Sequence, residues 1–275
     1  MFQGFTDLDK TFLSEPEWCR GPWSDKPEDK PIFDLLLDIL LDVPTLAAQR
    51  RAVEDVNDPM MLASRCLHAV DVGWEMEARL ETWFRCFRTI VPGPLYIPEL
   101  RGPGAFIDEE DREALFSVSF RFPTFAIGQN PIYYWVALMS IHAHLCFTYE
   151  MLARLASRLD SVGRGGIPCL CGGQLITSGR ASQPCLRHFK QALLPSLGHR
   201  KKWYHDTAFK ICQSTDYFLR DDLGGFGPTS MLPALAIVRG HWRYAPGDWT
   251  REMKWVETIL RRIQASGGII AGSIV

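Results

Sequence analysis

The chain has 275 residues, 47% of them hydrophobic and 23% charged, with a formal net charge of −2 at pH 7. That is enough chain for one large domain or two small ones around a sizeable core, and the composition excludes a disordered or fibrous protein. With the densest basic cluster confined to residues 198–202, the sequence also lacks the basic stripe of a chain that binds nucleic acid by itself.

The sixteen Phe and nine Trp point to an aromatic core or a ring-lined pocket. Eight scattered cysteines fit a reducing compartment, so the expected location is nuclear or cytoplasmic. The first ten residues, MFQGFTDLDK, lack the basic start and apolar centre of a signal peptide. The apolar window from Ile32 to Val43 contains Asp34, Asp38 and Asp42 and is too short to span a bilayer. No membrane contact is expected.

In chain order, residues 1–30 are rich in Pro, Asp and Lys and read as an extended arm whose Trp18 and Trp23 dock onto the domain. Residues 31–275 form the helical domain. Ile32 to Leu41 reads as a buried helix, and Pro44 as the start of another that runs to about Val56. Asn57-Asp58-Pro59 is a helix-start signal, opening a helix whose stripe runs from Ala63 through Cys66, Val70, Trp74, Leu80 and Trp83 to Phe87. Three prolines and two glycines between Val91 and Gly102 indicate a loop. Residues 108–111 are acidic and read as the first turn of a short helix. Phe116, Val118, Phe120 and Phe122 alternate at the strand period, with no obvious partner strand nearby.

Asn130-Pro131 reads as the start of the longest helix, to about Leu159, with Trp135, Leu138, Met139, His142, Leu145, Cys146, Tyr149 and Leu152 on its core face. Residues 161–200 are a Gly- and Cys-rich irregular loop. A helix from about Trp203 to Arg220 carries Ala208, Ile211, Cys212, Phe218 and Leu219 on one stripe. Leu223-Gly224-Gly225 stops it, glycine being the residue that enters a left-handed cap cheaply. Pro228 restarts a helix whose Met231–Val238 stretch is apolar almost all round and therefore buried. Asp248 caps a final amphipathic helix through Trp255, Ile259 and Ile263, ending at Gly267-Gly268. The expected fold class is all-α, a multi-helix bundle in a single large domain with long irregular loops.

Few groupings carry chemistry. Cys169, Cys171, Cys185 and His188 are the best metal-like set, thiolates and imidazole being zinc ligands. A one-residue gap between cysteines suits free loop thiols better, and no metal or cofactor is expected. His142 and His144, two apart on a helix, point in different directions. His142 reads first as a hydrogen-bonded core residue; its sharper reading is an acid–base group in an aromatic pocket. Arg220-Asp221-Asp222 lacks the third acid of a magnesium-binding motif, since Gly225 stands at that position. Gly163-x-Gly165-Gly166 lacks the ending of a phosphate-binding loop.

Several of these stations, in order, resemble the fungal-specific regulatory domain of binuclear zinc-cluster transcription factors. They are Pro22-Trp23 with the helix from Phe33 to Pro44, Cys66 with Leu80 to Trp83, Phe122-Pro123 leading to Tyr134-Trp135-Val136-Ala137-Leu138, Ile211-Cys212-Gln213-Ser214 through Gly227-Pro228, and Glu252 to Gly268 with Trp255 and Arg261-Arg262-Ile263. The likeness covers about residues 17–275. The closely spaced cysteines that hold the family's zinc ions do not occur here, none preceding Cys19.

The resemblance implies a ligand- or partner-sensing regulatory domain without its own DNA-binding module, with secondary metabolism as the process controlled. It implies no catalytic residues. The implied partners are a small metabolite and a protein partner or DNA-binding subunit. The alternative is an enzyme of cyclase or isomerase type, or a small-molecule carrier, built on the same scaffold for a fungal biosynthetic pathway. Its pocket would be lined by Trp135, His142, Tyr149 and Tyr217, with His142 as the catalytic candidate.

Overall fold

The computed structural model describes residues 15–19, 21–54, 56–101, 115–162, 174–175, 183–184, 194–245 and 247–265. Long helices dominate: α1 (Ile32–Glu54), α2 (Pro59–Ile90), α3 (Phe125–Val162), α4 (Leu194–Phe218), α5 (Phe226–Tyr244) and α6 (Thr250–Ala265). A hairpin of β1 (Ile97–Leu100) and β2 (Val118–Arg121) interrupts them, and Gln174–Leu175 pairs with Gln183–Pro184 in a second short ladder. The architecture is all-α with these two small additions.

The 38-residue α3 is the central element. Helices α1, α2, α4 and α5 all pack on it, β2 lies on α4, and α6 packs on α5. That surround explains its composition: Ile132, Val136, Ala137, Met139, Ile141, Leu145 and Leu152 are all buried. By length and apolarity alone α3 would also span a membrane, and 61% of its apolar window is covered by the rest of the protein.

The helix starts follow local chemistry. Asp58 caps α2, its Oδ1 accepting from the Met61 N–H at 2.7 Å with Pro59 in the first turn. Asp248 accepts from the Thr250 N–H at 3.1 Å and from the Thr250 hydroxyl at 2.7 Å ahead of α6. The apolar stripes of α4 and α6 are buried as their periodicity predicts, through Ala208, Ile211, Cys212 and Phe218 on one and Trp255, Ile259 and Ile263 on the other. In α5, Met231, Leu232, Ala234, Leu235 and Val238 are buried.

Several expectations are corrected. Pro44 does not begin a helix; it lies inside the continuous α1, with the Thr45 hydroxyl donating to the Asp42 carbonyl at 2.5 Å beside it. Pro131 likewise lies inside α3. That helix starts six residues earlier, where Thr124 Oγ1 accepts from the Ile127 N–H at 3.2 Å, and Asn130 donates to the Ala126 carbonyl at 2.8 Å within it. Side chains thus occupy backbone groups near each proline, and packing on both sides holds the helix axis.

Residues 97–100 are not loop. They pair antiparallel with 118–121, placing Ile97 opposite Arg121, Pro98 opposite Phe120 and Leu100 opposite Val118. The Arg101 N–H donates to the Ser117 carbonyl at 3.0 Å. In an antiparallel ladder the bonding residues alternate, so Ile97, Glu99 and Arg101 face β2 while Pro98, with no N–H to offer, points its nitrogen outward.

Helix α4 ends at Phe218 rather than at the glycine pair. Arg220 turns extended (φ −68°, ψ 141°), a 3-10 turn follows at Asp221–Leu223, and Gly224 closes that turn at φ 53°. Gly225 keeps right-handed helical angles, φ −73° and ψ −18°. In the arm, Trp18 is 57% exposed and Trp23 is half-buried. Residues 108–111 and Gly267-Gly268 lie outside the described residues.

Candidate functional site

The hairpin and the end of α4 together form a groove of about 570 Å³, lined by Ile97, Arg121, Phe122, Pro123, Tyr217, Arg220 and Asp222. The alternation of residues 116–122 builds one wall. Phe116, Phe120 and Phe122 turn inward and are buried, which leaves Arg121 on the outer face. Phe122 then meets Tyr217 edge-on, with ring centroids 5.2 Å apart, and Phe218 at 5.7 Å.

The other wall follows from the early end of α4. The extended Arg220 doubles back to Asp222, its Nε donating to Oδ1 at 2.9 Å and its Nη2 to Oδ2 at 2.5 Å. The same guanidinium sits 5.3 Å from the Tyr217 ring centroid. Arg121 is held more loosely, by a single 3.4 Å contact to Glu99 between exposed side chains. Burial raises the Tyr217 hydroxyl above its ordinary range, against the lowering pull of Arg220 and Arg121. The phenol is therefore a neutral donor at pH 7. The groove presents Arg121, the Arg220–Asp222 ion pair, the apolar Ile97 and Pro123 side chains and the margins of the buried Phe122 and Tyr217 rings.

The four pocket residues expected from the sequence divide into two pairs. Trp135 and Tyr217 belong to one aromatic network. Trp135 meets Tyr96 at 5.7 Å, Tyr96 meets Phe122 at 6.2 Å, and Phe122 meets Tyr217. His142 and Tyr149 instead face α2. His142 Nε2 lies 3.0 Å from Glu77 Oε1, and the Tyr149 hydroxyl accepts from Trp74 Nε1 at 2.7 Å. The two pairs make separate sets of contacts.

His142 is 0% exposed and Glu77 6%. A carboxylate beside an imidazole is the pairing that orients a catalytic base, but here both partners are closed off from solvent and tie α2 to α3 within the core. His144 points elsewhere on α3, its Nε2 3.1 Å from the Ala69 carbonyl oxygen. Burial lowers its pKa, which that carbonyl partly offsets.

Cys169, Cys171, Cys185 and His188 lie outside the described residues. Cys66 and Cys212 are buried free thiols, Cys146 is buried and Cys86 is exposed. Burial pushes Cys66 up to about 11 and Cys212 well above the ordinary range, so neither is a thiolate at pH 7. Among the described residues, no group of three or more His, Cys, Asp and Glu is placed to hold a metal.

Sequence reasoning missed Arg121, Phe122 and Arg220. The signal for Arg121 was present, as the polar residue between two inward Phe, but only a partner strand turns that alternation into a wall. No match to this chain was found among protein-family models, curated proteins or solved structures.

Proposed function

We propose that this chain is a regulatory domain that senses a ligand or partner and acts through a DNA-binding module supplied by another chain or another part of the protein, in the manner of the fungal transcription-factor domain it resembles. The observation that supports this reading is the separation of reactive from recognising groups. The imidazoles of His142 and His144 and the thiols of Cys66 and Cys212 are inside the packing, while the groove offers arginines, a phenol and apolar walls. A site of that kind binds, and binding shifts a conformational equilibrium by its differential affinity for the two states. Control of secondary metabolism and a nuclear place of action follow from the same resemblance.

The reading is tested by fusing the chain to a heterologous DNA-binding module and following a reporter gene across a metabolite panel. Reporter output should differ from that of the module alone and respond to a metabolite. An unresponsive reporter, together with a turnover by the purified protein that His142→Ala abolishes, would transfer the assignment to the biosynthetic-enzyme alternative.

A further inference from the structure

We infer that His205 and His241 form a binding site for a divalent transition-metal ion of the zinc class, a site separate from the groove and independent of the regulatory reading. The two residues stand at nearly equal distances in sequence from the turn where Gly227 approaches Phe218. Packing of α4 on α5 across that short connection therefore brings them level. Their ring centroids are 5.5 Å apart, with the planes tilted by 57°. Zinc–nitrogen bonds of about 2.1 Å at a tetrahedral angle place the centroids of two imidazoles sharing one ion about 5 Å apart, close to the spacing observed. Both side chains are half-buried rather than sealed, so an ion has access from solvent.

The surroundings hold the rings for this task. Trp249 stacks on the His205 ring at 4.6 Å and 23°, which fixes the plane of the imidazole. Metals bind in that plane, so stacking and ligation do not compete. Each imidazole has two nitrogens, and one ligates while the other keeps a hydrogen bond of its own, the usual arrangement for a ligating histidine. Two protein ligands leave the remaining positions of the ion to water. Trp242, next to His241 in sequence, stacks on the same Trp249 at 5.9 Å and 12°. It is 2% exposed, and its Nε1 has no hydrogen-bond partner among the described residues; a metal-bound water or hydroxide offers that donor an acceptor. Imidazole selects zinc, copper and nickel, whereas magnesium and calcium require oxygen ligands, which the pair does not supply.

The test is a calorimetric titration of the chelator-stripped full chain with zinc chloride and, for comparison, magnesium chloride. Zinc should bind with a Kd on the order of 0.1 mM or tighter, and magnesium should give no binding heat. His205→Gln and His241→Gln, each checked for fold by circular dichroism, should each weaken that binding by about tenfold or more, since either removes one of the two protein ligands. His68→Gln, at an exposed position of α2, should leave it unchanged. Zinc should also raise the melting temperature of the parent by mass action, and raise that of either variant less. Four results overturn the proposal: no heat from zinc up to about 1 mM, equal binding of magnesium, two histidine variants that bind zinc as the parent does, or a loss confined to one of them.

Discussion

Arg101 and Asp216, 115 residues apart, meet through two hydrogen bonds, Nε to Oδ2 at 2.7 Å and Nη2 to Oδ1 at 2.8 Å. The Arg101 side chain is 2% exposed, and its guanidinium lies 5.7 Å from the Trp255 ring centroid. This pair fastens the hairpin to α4 and so fixes the distance across the groove. Asp216→Asn should destabilise the protein by about 3 kcal/mol, because a buried guanidinium loses its counter-charge. Replacing both partners, with Arg101→Met added to Asp216→Asn, should recover part of that loss. Urea unfolding of the single and double variants measures both, and an Asp216→Asn midpoint equal to the parent's would contradict the assignment.

The His142–Glu77 pair carries a similar asymmetry. His142→Ala removes a fully buried ring and its contact with Glu77 Oε1, a loss of about 3 kcal/mol or more. Glu77→Gln keeps the shape and an acceptor for the imidazole, so its cost should be nearer about 1 kcal/mol. Thermal denaturation of the two variants decides the matter. The reverse order would show that the imidazole is not the carboxylate's main partner.

Glycine substitutions in α5 should have opposite signs. At Gly227 an added Cβ would run into the backbone carbonyl of Phe218, deep inside van der Waals contact. Backbone cannot give way as a side-chain tip does, so Gly227→Ala should cost about 2 kcal/mol. Gly240, inside the same helix, has nothing within 4 Å of such an atom. Gly240→Ala should stabilise the protein by about 0.5–1 kcal/mol through helix propensity and reduced freedom of the unfolded chain. Equal melting temperatures for the two variants would refute the close approach of α5 to the end of α4.

Stability should decline in mild acid. Burial, aided by the neighbouring His205 imidazole 5.5 Å away, lowers the pKa of His241 from its ordinary 6.5 to about 4. Between those values the unfolded chain binds a proton that the folded chain refuses. Folding stability is therefore intact above pH 6.5, falls as the pH drops toward 4, and levels off below it, with a change of about 3 kcal/mol from this residue. His144, lowered by burial as well, adds in the same direction. Urea midpoints of the parent and of His241→Gln, taken at about pH 7 and about pH 4.5, isolate the contribution. Parallel losses in the two proteins would remove His241 as a cause.

Trp83 and Trp255 separate packing from hydrogen bonding. Trp83 Nε1 donates to the Ile32 carbonyl at 2.7 Å, whereas Trp255 Nε1 is buried with no hydrogen-bond partner among the described residues. Trp83→Phe should therefore lose more stability than Trp255→Phe, by about 1 kcal/mol. Chemical denaturation of the pair checks it, and equal losses would show that the Ile32 bond contributes nothing.

What the sequence determined by itself is the local layer. Apolar spacing places the buried stripes of α2, α4 and α6, and Asp58 and Asp248 mark helix starts, because these signals depend on residues a turn or two away. Pro44 and Pro131 misled for the same reason: a proline's local preference is to begin a helix, and only packing from neighbouring helices carries the axis through it. The tertiary structure decided everything that rests on distant pairs. It brought the strand at 97–100 to 118–121, Glu77 to His142 across 65 residues, and Arg121 to the groove it shares with Tyr217. The alternation of residues 116–122 marks a strand, but which partner each of these residues meets leaves no periodic trace, since its cause is the closure of long loops by the shared core.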